Sequence, residues 1–333
     1  MNRLISWLSL IAFLITILFG VSLLSLCTGS AAIPLKNIWS IALFGKGTTE
    51  YSILFDLRLP RIILGFAVGG GLSLAGVILQ GLFRNSLVEP YTLGISGGAA
   101  LGVALSIILG WHSTLGLLIL PISGFSGAGI IVIALYILSM RRGRMRMQGL
   151  LLMGVMISFI SSSLIMLIMS VSRVETFQQI IFWMMGSLEG SNWSLIKLAV
   201  FISLLGLIIS FFFAIPLNAL SLGEEEALHL GVDIEKSKRI LFLLASLLTG
   251  FSVSVAGVIG FVGLVIPHLL RLFVGQDHRI LLITSFLVGG SFLILCDTLA
   301  RTIISPCELP VGVITGIFGG SLFIYLLSKK VTL

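Results

Sequence analysis

Eight long stretches of the chain carry no lysine, arginine, aspartate or glutamate: 4–35, 62–83, 90–140, 147–172, 198–223, 240–270, 280–296 and 309–328. A membrane-spanning helix needs about 20 apolar residues, so each is a candidate span. The stretch 90–140 is too long for one helix. It is expected to break near Gly110-Trp111-His112 and again at Pro121, giving two spans. The stretch 240–270 is expected to break around Gly260 to Pro267, giving one full span and one short one. The pattern therefore predicts an all-α, polytopic membrane protein of about ten spans with short loops. Gly65, Gly69 and Gly76 fall on one face of the second span, where small residues let helices approach closely.

Composition sharpens this picture. Hydrophobic residues make up 57% of the 333 and charged residues only 10%. A soluble domain carries roughly 25% charged residues, so lipid must cover part of this surface. No room remains for a nucleotide-hydrolysing domain, and 1–333 is expected to form a single transmembrane domain. The net charge of +7 is then no sign of nucleic-acid binding. Placing the N-terminus in the cytoplasm and alternating ten spans puts thirteen of the 20 lysines and arginines inside, including the clusters 141–146 and 236–239. Both termini are then cytoplasmic. Cys27, Cys296 and Cys307 have no ligand spacing, and Leu26 before Cys27 is too large for a lipoprotein cleavage box. The first span is read as retained. Ser73-Leu-Ala-Gly-Val-Ile78 recurs as Ser254-Val-Ala-Gly-Val-Ile259, which suggests an inverted repeat pairing spans 2–5 with 7–10.

The polar segments carry the candidate chemistry. Glu224, Glu225 and Glu226, then Ala227, Leu228, His229 and Leu230, closed by Gly231, read as a short helix with acids in its first turn. Asp233 is placed to cap a helix running into the next span. This stretch, about 217–239, is either a docking surface or a solvated loop. Pro90 suits the first turn of a helix. The following Leu93 to Gly102 is glycine-rich but lacks the lysine of a phosphate-binding loop. His268 and His278 are too few for a metal site. Asp297 and Arg301 stand four apart, as a local ion pair would, and with Glu308 they look interfacial. Proton-coupled transport would want a carboxylate deeper in a span. Arg58 and Arg61 flank Leu59-Pro60 before the second span, either as head-group anchors or as contacts for a partner's carboxylates.

Taken together these segments resemble the permease subunits of ABC importers for iron-siderophores, haem and vitamin B12, the FecCD type. The resemblance runs through Arg58-Leu-Pro-Arg61, Gln80 to Asn85, Glu89-Pro90 with Leu93 to Gly102, and Trp183 to Leu188. It continues through Ala227 to Val232, Gly257 to Arg271, Asp277 to Arg279, Asp297 with Arg301, and Glu308 to Gly319. Ser86 and Val88 depart from the family's usual proline and alanine. The resemblance implies a subunit of the prokaryotic cytoplasmic membrane, paired with a second copy or a sister permease. Two ATP-binding subunits holding ATP and Mg would lie below and a substrate-binding protein above, with no cofactor on this chain. It implies that Glu224 to Gly231 couple to the ATPase and that Arg58, Arg61 and Arg301 meet the binding protein. It also implies that Arg141, Arg142, Gly143 and Arg144 lie near a cytoplasmic gate, and Arg173, Glu175 and Trp183 near an outer one. An ion-coupled secondary transporter is the alternative, weakened by the lack of a buried acid chain.

Overall fold

The structure is a computed structural model that describes residues 2–29, 31, 33–116, 118–141, 144–190 and 192–331. Fourteen helices are used as landmarks. They are α1 (Asn2–Cys27), α2 (Leu35–Phe44), α3 (Leu59–Leu82), α4 (Ile95–Ile108), α5 (Ile119–Ser139), α6 (Met147–Val171) and α7 (Val174–Met184). The chain continues through α8 (Trp193–Phe212), α9 (Ala214–Leu222), α10 (Glu224–His229), α11 (Ile234–Ala256), α12 (Val262–Val274), α13 (His278–Thr302) and α14 (Val311–Val331). Shorter turns lie between them, including a π-helical one at Ile53–Arg58 that runs directly into α3.

Among the described residues seven helices are long and apolar enough to cross a membrane, α1, α3, α5, α6, α8, α11 and α13; the other three expected spans fall on the shorter apolar helices α4, α12 and α14. Two are half-length. α4 has 14 residues and α12 has 13, about 20 Å at 1.5 Å per residue against a hydrocarbon core of about 30 Å. The short α12 was expected and the short α4 was not. The breaks also shift. Pro121 lies inside the first turn of α5, and Pro267 lies within α12. The second break is instead at 257–261, where Gly257 (φ +72°) and Phe261 (φ +69°) take left-handed backbone.

α3 is apolar all round and buried almost throughout, the mark of a central helix. It packs against α8, α11, α12 and α13. Glycine makes this possible. A Cβ on Gly69 would lie 2.4 Å from the carbonyl oxygen of Gly289, and one on Gly76 would lie 1.9 Å from that of Gly263. The outer helices α1, α5, α6 and α8 instead expose large apolar side chains such as Phe19, Ile130, Phe159 and Phe201. Such a surface belongs in lipid or against another subunit.

Packing is reciprocal between the two halves. α3 touches α11 and α12, while α11 touches α3 and α4. α4 packs on α5 and α6 as α12 packs on α13 and α14. The six-residue sequence match is not equivalent between them, however. Residues 73–78 sit inside α3, whereas 254–259 straddle the end of α11.

Candidate functional site

The structure brings Arg58, Arg61 and Arg301 together. They line one cavity of about 170 Å³ with Gly29, Asp56, Glu189 and Glu308. Arg58 closes the π-helical turn, Arg61 is in the first turn of α3, and Arg301 is in the last turn of α13. The expectation that these guanidiniums are displayed needs correction. They are 4%, 8% and 6% exposed, and each has a partner within the chain. Arg58 donates to the carbonyls of Leu26 (2.6 Å) and Ala31. Arg61 Nη2 lies 2.6 Å from Glu308 Oε2 and 3.4 Å from Glu189 Oε2. Arg301 Nε pairs with Asp297 Oδ2 at 3.0 Å, and its Nη2 donates to Ser25 Oγ at 2.8 Å. Buried charge is tolerated only when paired in this way. The groups that do reach outward are the side chains of Glu189 and Glu308, 67% and 44% exposed. Asp297, read as interfacial, is buried.

At the other end of the bundle, α9 and α10 form a compact pair. α10 is one residue shorter than expected, and Gly231 (φ +77°) follows it. The Val232 amide donates to the Ala227 carbonyl at 3.0 Å, closing the turn. Ala227 points inward and is fully buried, whereas Leu228 and Leu230 are each 64% exposed. Glu224 is held by Lys238 at 2.8 Å. Asp233 caps α11, accepting from the Lys236 amide at 3.0 Å, as read from the sequence.

Two links here had no sequence signal. Glu235 Oε2 accepts from the Met145 amide at 2.9 Å, tying the paired two-residue strands Met140–Arg141 and Arg144–Met145 to α11. Arg141 and Arg144 pair across those strands through their backbones; Arg142 and Gly143 lie outside the described residues. Asn218 on α9 accepts from the His278 amide (2.8 Å) and ring Nδ1 (2.7 Å), and donates to Asp277 at 3.0 Å. The imidazole therefore carries its proton on Nδ1.

Asp277 also pairs with Arg279 at 2.7 Å, and the Arg279 guanidinium lies 5.3 Å from the centre of the Trp7 ring. The Arg279 hydrogen bond holds the Asp277 carboxyl well below its usual range, with Asn218 assisting against partial desolvation. A depressed carboxylate lends stability above its unfolded value of about 3.9 and loses it as pH falls toward the folded value. Asp277→Asn is expected to keep the helix cap and lower Tm slightly at pH 7. The gap to wild type should begin to narrow as pH falls below about 4, as thermal unfolding in detergent will show.

Glu175 and Trp183 share a cavity of about 550 Å³ with Ile107, His112, Leu120, Gln178, Gln179 and Phe182. Arg173, just before α7, is exposed and outside that lining. Between the two ends, the 85–94 segment and the 257–261 break are bonded together. Glu89 accepts from the Phe261 amide at 2.6 Å, and the Tyr91 hydroxyl donates to the Ile259 carbonyl at 2.7 Å. Such irregular backbone is tolerated in a membrane protein where protein buries it. No group of three metal-ligating side chains stands together among the described residues.

The sequence profile of the FecCD transport family matches residues 15–329. The chain is 37% identical over 323 residues to the hemin transport system permease protein HmuU of Yersinia pestis, covering 96% of each. It is 39% identical over 287 residues to the cobalamin import system permease protein BtuC of Halobacterium salinarum, covering 86% of this chain and 76% of that one. A solved structure assigned to a metal-chelate type ABC transporter, in an inward-facing conformation, superposes with a TM-score of 0.84. It shares 32% identity over 97% of this chain and 99% of that one.

Proposed function

The chain belongs to the FecCD transport family and is a multi-pass permease subunit of an ABC importer; from that premise we propose that its cargo is a metal chelate, an iron-siderophore first, with haem and cobalamin behind it. The match to a hemin permease over 96% of each chain, with that to a cobalamin permease over 86% of this one, supports this reading. The subunit works in the cytoplasmic membrane as a pair, with a second copy or a sister permease, its termini inside. It binds no cofactor itself; ATP and Mg sit on two partner ATPases, and a substrate-binding protein delivers the cargo. The cargo class is tested by titrating the purified cognate binding protein with ferric siderophores, haem and cobalamin. Tight binding of one of them supports the reading, and binding of none removes it.

The exposed pair of Leu228 in α10 and Leu230 at its C-cap suits this helix to receive the ATPase, with Glu224 to Gly231 as its frame. The 141–144 hairpin, joined to α11 through Glu235, is the proposed cytoplasmic gate. Arg173, Glu175 and Trp183, beside or near the 550 Å³ cavity, are the proposed outer gate. The arginine cavity is the proposed docking point for a binding-protein carboxylate. That carboxylate would compete with Glu308 for Arg61, using geometry that lysine cannot copy. Arg61→Gln is expected to weaken binding-protein affinity about tenfold, a charge-assisted bond being worth roughly 1.5–3 kcal/mol. Raised salt should weaken the wild-type complex. Unchanged affinity in surface plasmon resonance, with a wild-type melting curve, would remove Arg61 from the docking point.

A further inference from the structure

The C-terminal half of α12 holds a cation, Arg271, that pairs with no carboxylate among the described residues. Arg271 is half-buried, and its Nη1 donates to Gln80 Oε1. Gln80 turns its own amide to the carbonyls of Val88, Gly263 and Leu264, at 3.3, 3.1 and 3.4 Å. A guanidinium stays protonated in proteins. The nearby acids are engaged elsewhere: Asp277 by Arg279 and Asn218, and Glu89 by the Phe261 amide. A half-buried cation with one neutral partner is well placed to take an anion.

Arg271 opens onto a cavity of about 230 Å³ lined by Ser86, His268, Leu272 and Gln276. The polar wall is a hydroxyl, an imidazole, an amide and a guanidinium, with no acid. Arg84, exposed on the same loop as Ser86, adds a second cation. The surroundings are apolar: Leu87, Leu272 and Phe273 are 51%, 53% and 77% exposed. A polar, cationic floor beside exposed apolar side chains at the end of a spanning helix matches a headgroup joined to acyl chains. A free anion would leave the apolar side chains uncovered, and a zwitterionic headgroup would bring its own cation toward Arg84. We propose that this cavity binds the phosphate of an anionic phospholipid headgroup, with Leu272 and Phe273 against the acyl chains.

The test is native mass spectrometry of the purified full chain in detergent, titrated separately with phosphatidylglycerol, phosphatidylcholine and inorganic phosphate. Wild type is expected to hold one phosphatidylglycerol roughly tenfold more tightly than phosphatidylcholine, as cationic contacts at a membrane surface permit. Gln276→Glu places a negative charge on the exposed wall and should remove that preference while keeping the wild-type Tm. Arg271→Gln should do the same for binding, and the Gln276 variant decides the matter if that protein does not fold. Equal affinity for the two lipids in wild type overturns the proposal, as does an unchanged preference in Gln276→Glu. Stabilisation by inorganic phosphate without any lipid preference also overturns it, marking a free-anion site instead.

Discussion

Gly76→Ala is expected to abolish the folded yield of this protein. In an isolated helix the change would help, since alanine is better than glycine by about 1 kcal/mol. Here the new methyl would lie 1.9 Å from the Gly263 carbonyl oxygen, and the atom in its way is backbone. A side chain could rotate aside, but α12 must shift as a unit. Moving it pulls Gln80 from the Gly263 and Leu264 carbonyls and drags the Phe261 amide from Glu89. Overpacking a deformable core costs about 1–3 kcal/mol, and this contact exceeds that range. Folded proteins have only about 5–15 kcal/mol to lose. Gly20→Ala on α1 is the control, because nothing stands within 4 Å of its new methyl. Size-exclusion profiles in detergent should show aggregate for the first variant and a wild-type monodisperse peak for the second. A monodisperse Gly76→Ala protein would mean α3 and α12 are not in backbone contact.

Leu228→Pro is expected to uncouple the permease from its ATPase. α10 has six residues, so proline near its end removes a large share of the helix at a cost of about 3 kcal/mol. The spanning helices are untouched, so insertion and yield should stay near wild type. ATPase association in pull-down should fall at least about tenfold, since 1.4 kcal/mol already gives that factor. Leu228→Asp keeps the helix and removes only the exposed apolar contact; it should weaken association more mildly. Wild-type association in both would take α10 out of the docking surface.

The spans were legible because a chain in lipid must spend about 20 apolar residues on each crossing, and the charged residues mark where crossings stop. The Asp233 cap and the Asp297–Arg301 pair were legible because both are local: side chain to nearby amide, and i to i+4. The half-length of α4 was not. Leu93 to Gly102 is apolar and glycine-rich whether it starts at the membrane surface or deeper, and its start depends on Tyr91 and Glu89 meeting a segment 168 to 172 residues away. The break expected around Gly260 to Pro267 falls earlier, at 257–261, because proline is a strong helix breaker in isolation, whereas left-handed backbone at Phe261 has no sequence mark. The three arginines grouped from the sequence line one cavity, yet their burial was missed. Arg61 meets Glu308 across 247 residues, and Arg301 meets Ser25 across 276. Such partners are set by packing of α1, α3 and α13, which periodicity does not reveal. Glu189, Asn218 and Glu235 were missed for the same reason.

The proposed function makes this chain a translocation path driven from outside itself. The direct test is cargo uptake into liposomes, with the permease reconstituted alone, with its ATPase, and with ATPase plus cargo-loaded binding protein. Uptake should occur only with all partners present and ATP supplied on the ATPase side, and an imposed proton gradient should not replace ATP. Accumulation by the permease alone under a proton gradient would contradict the account and make the chain an ion-coupled carrier.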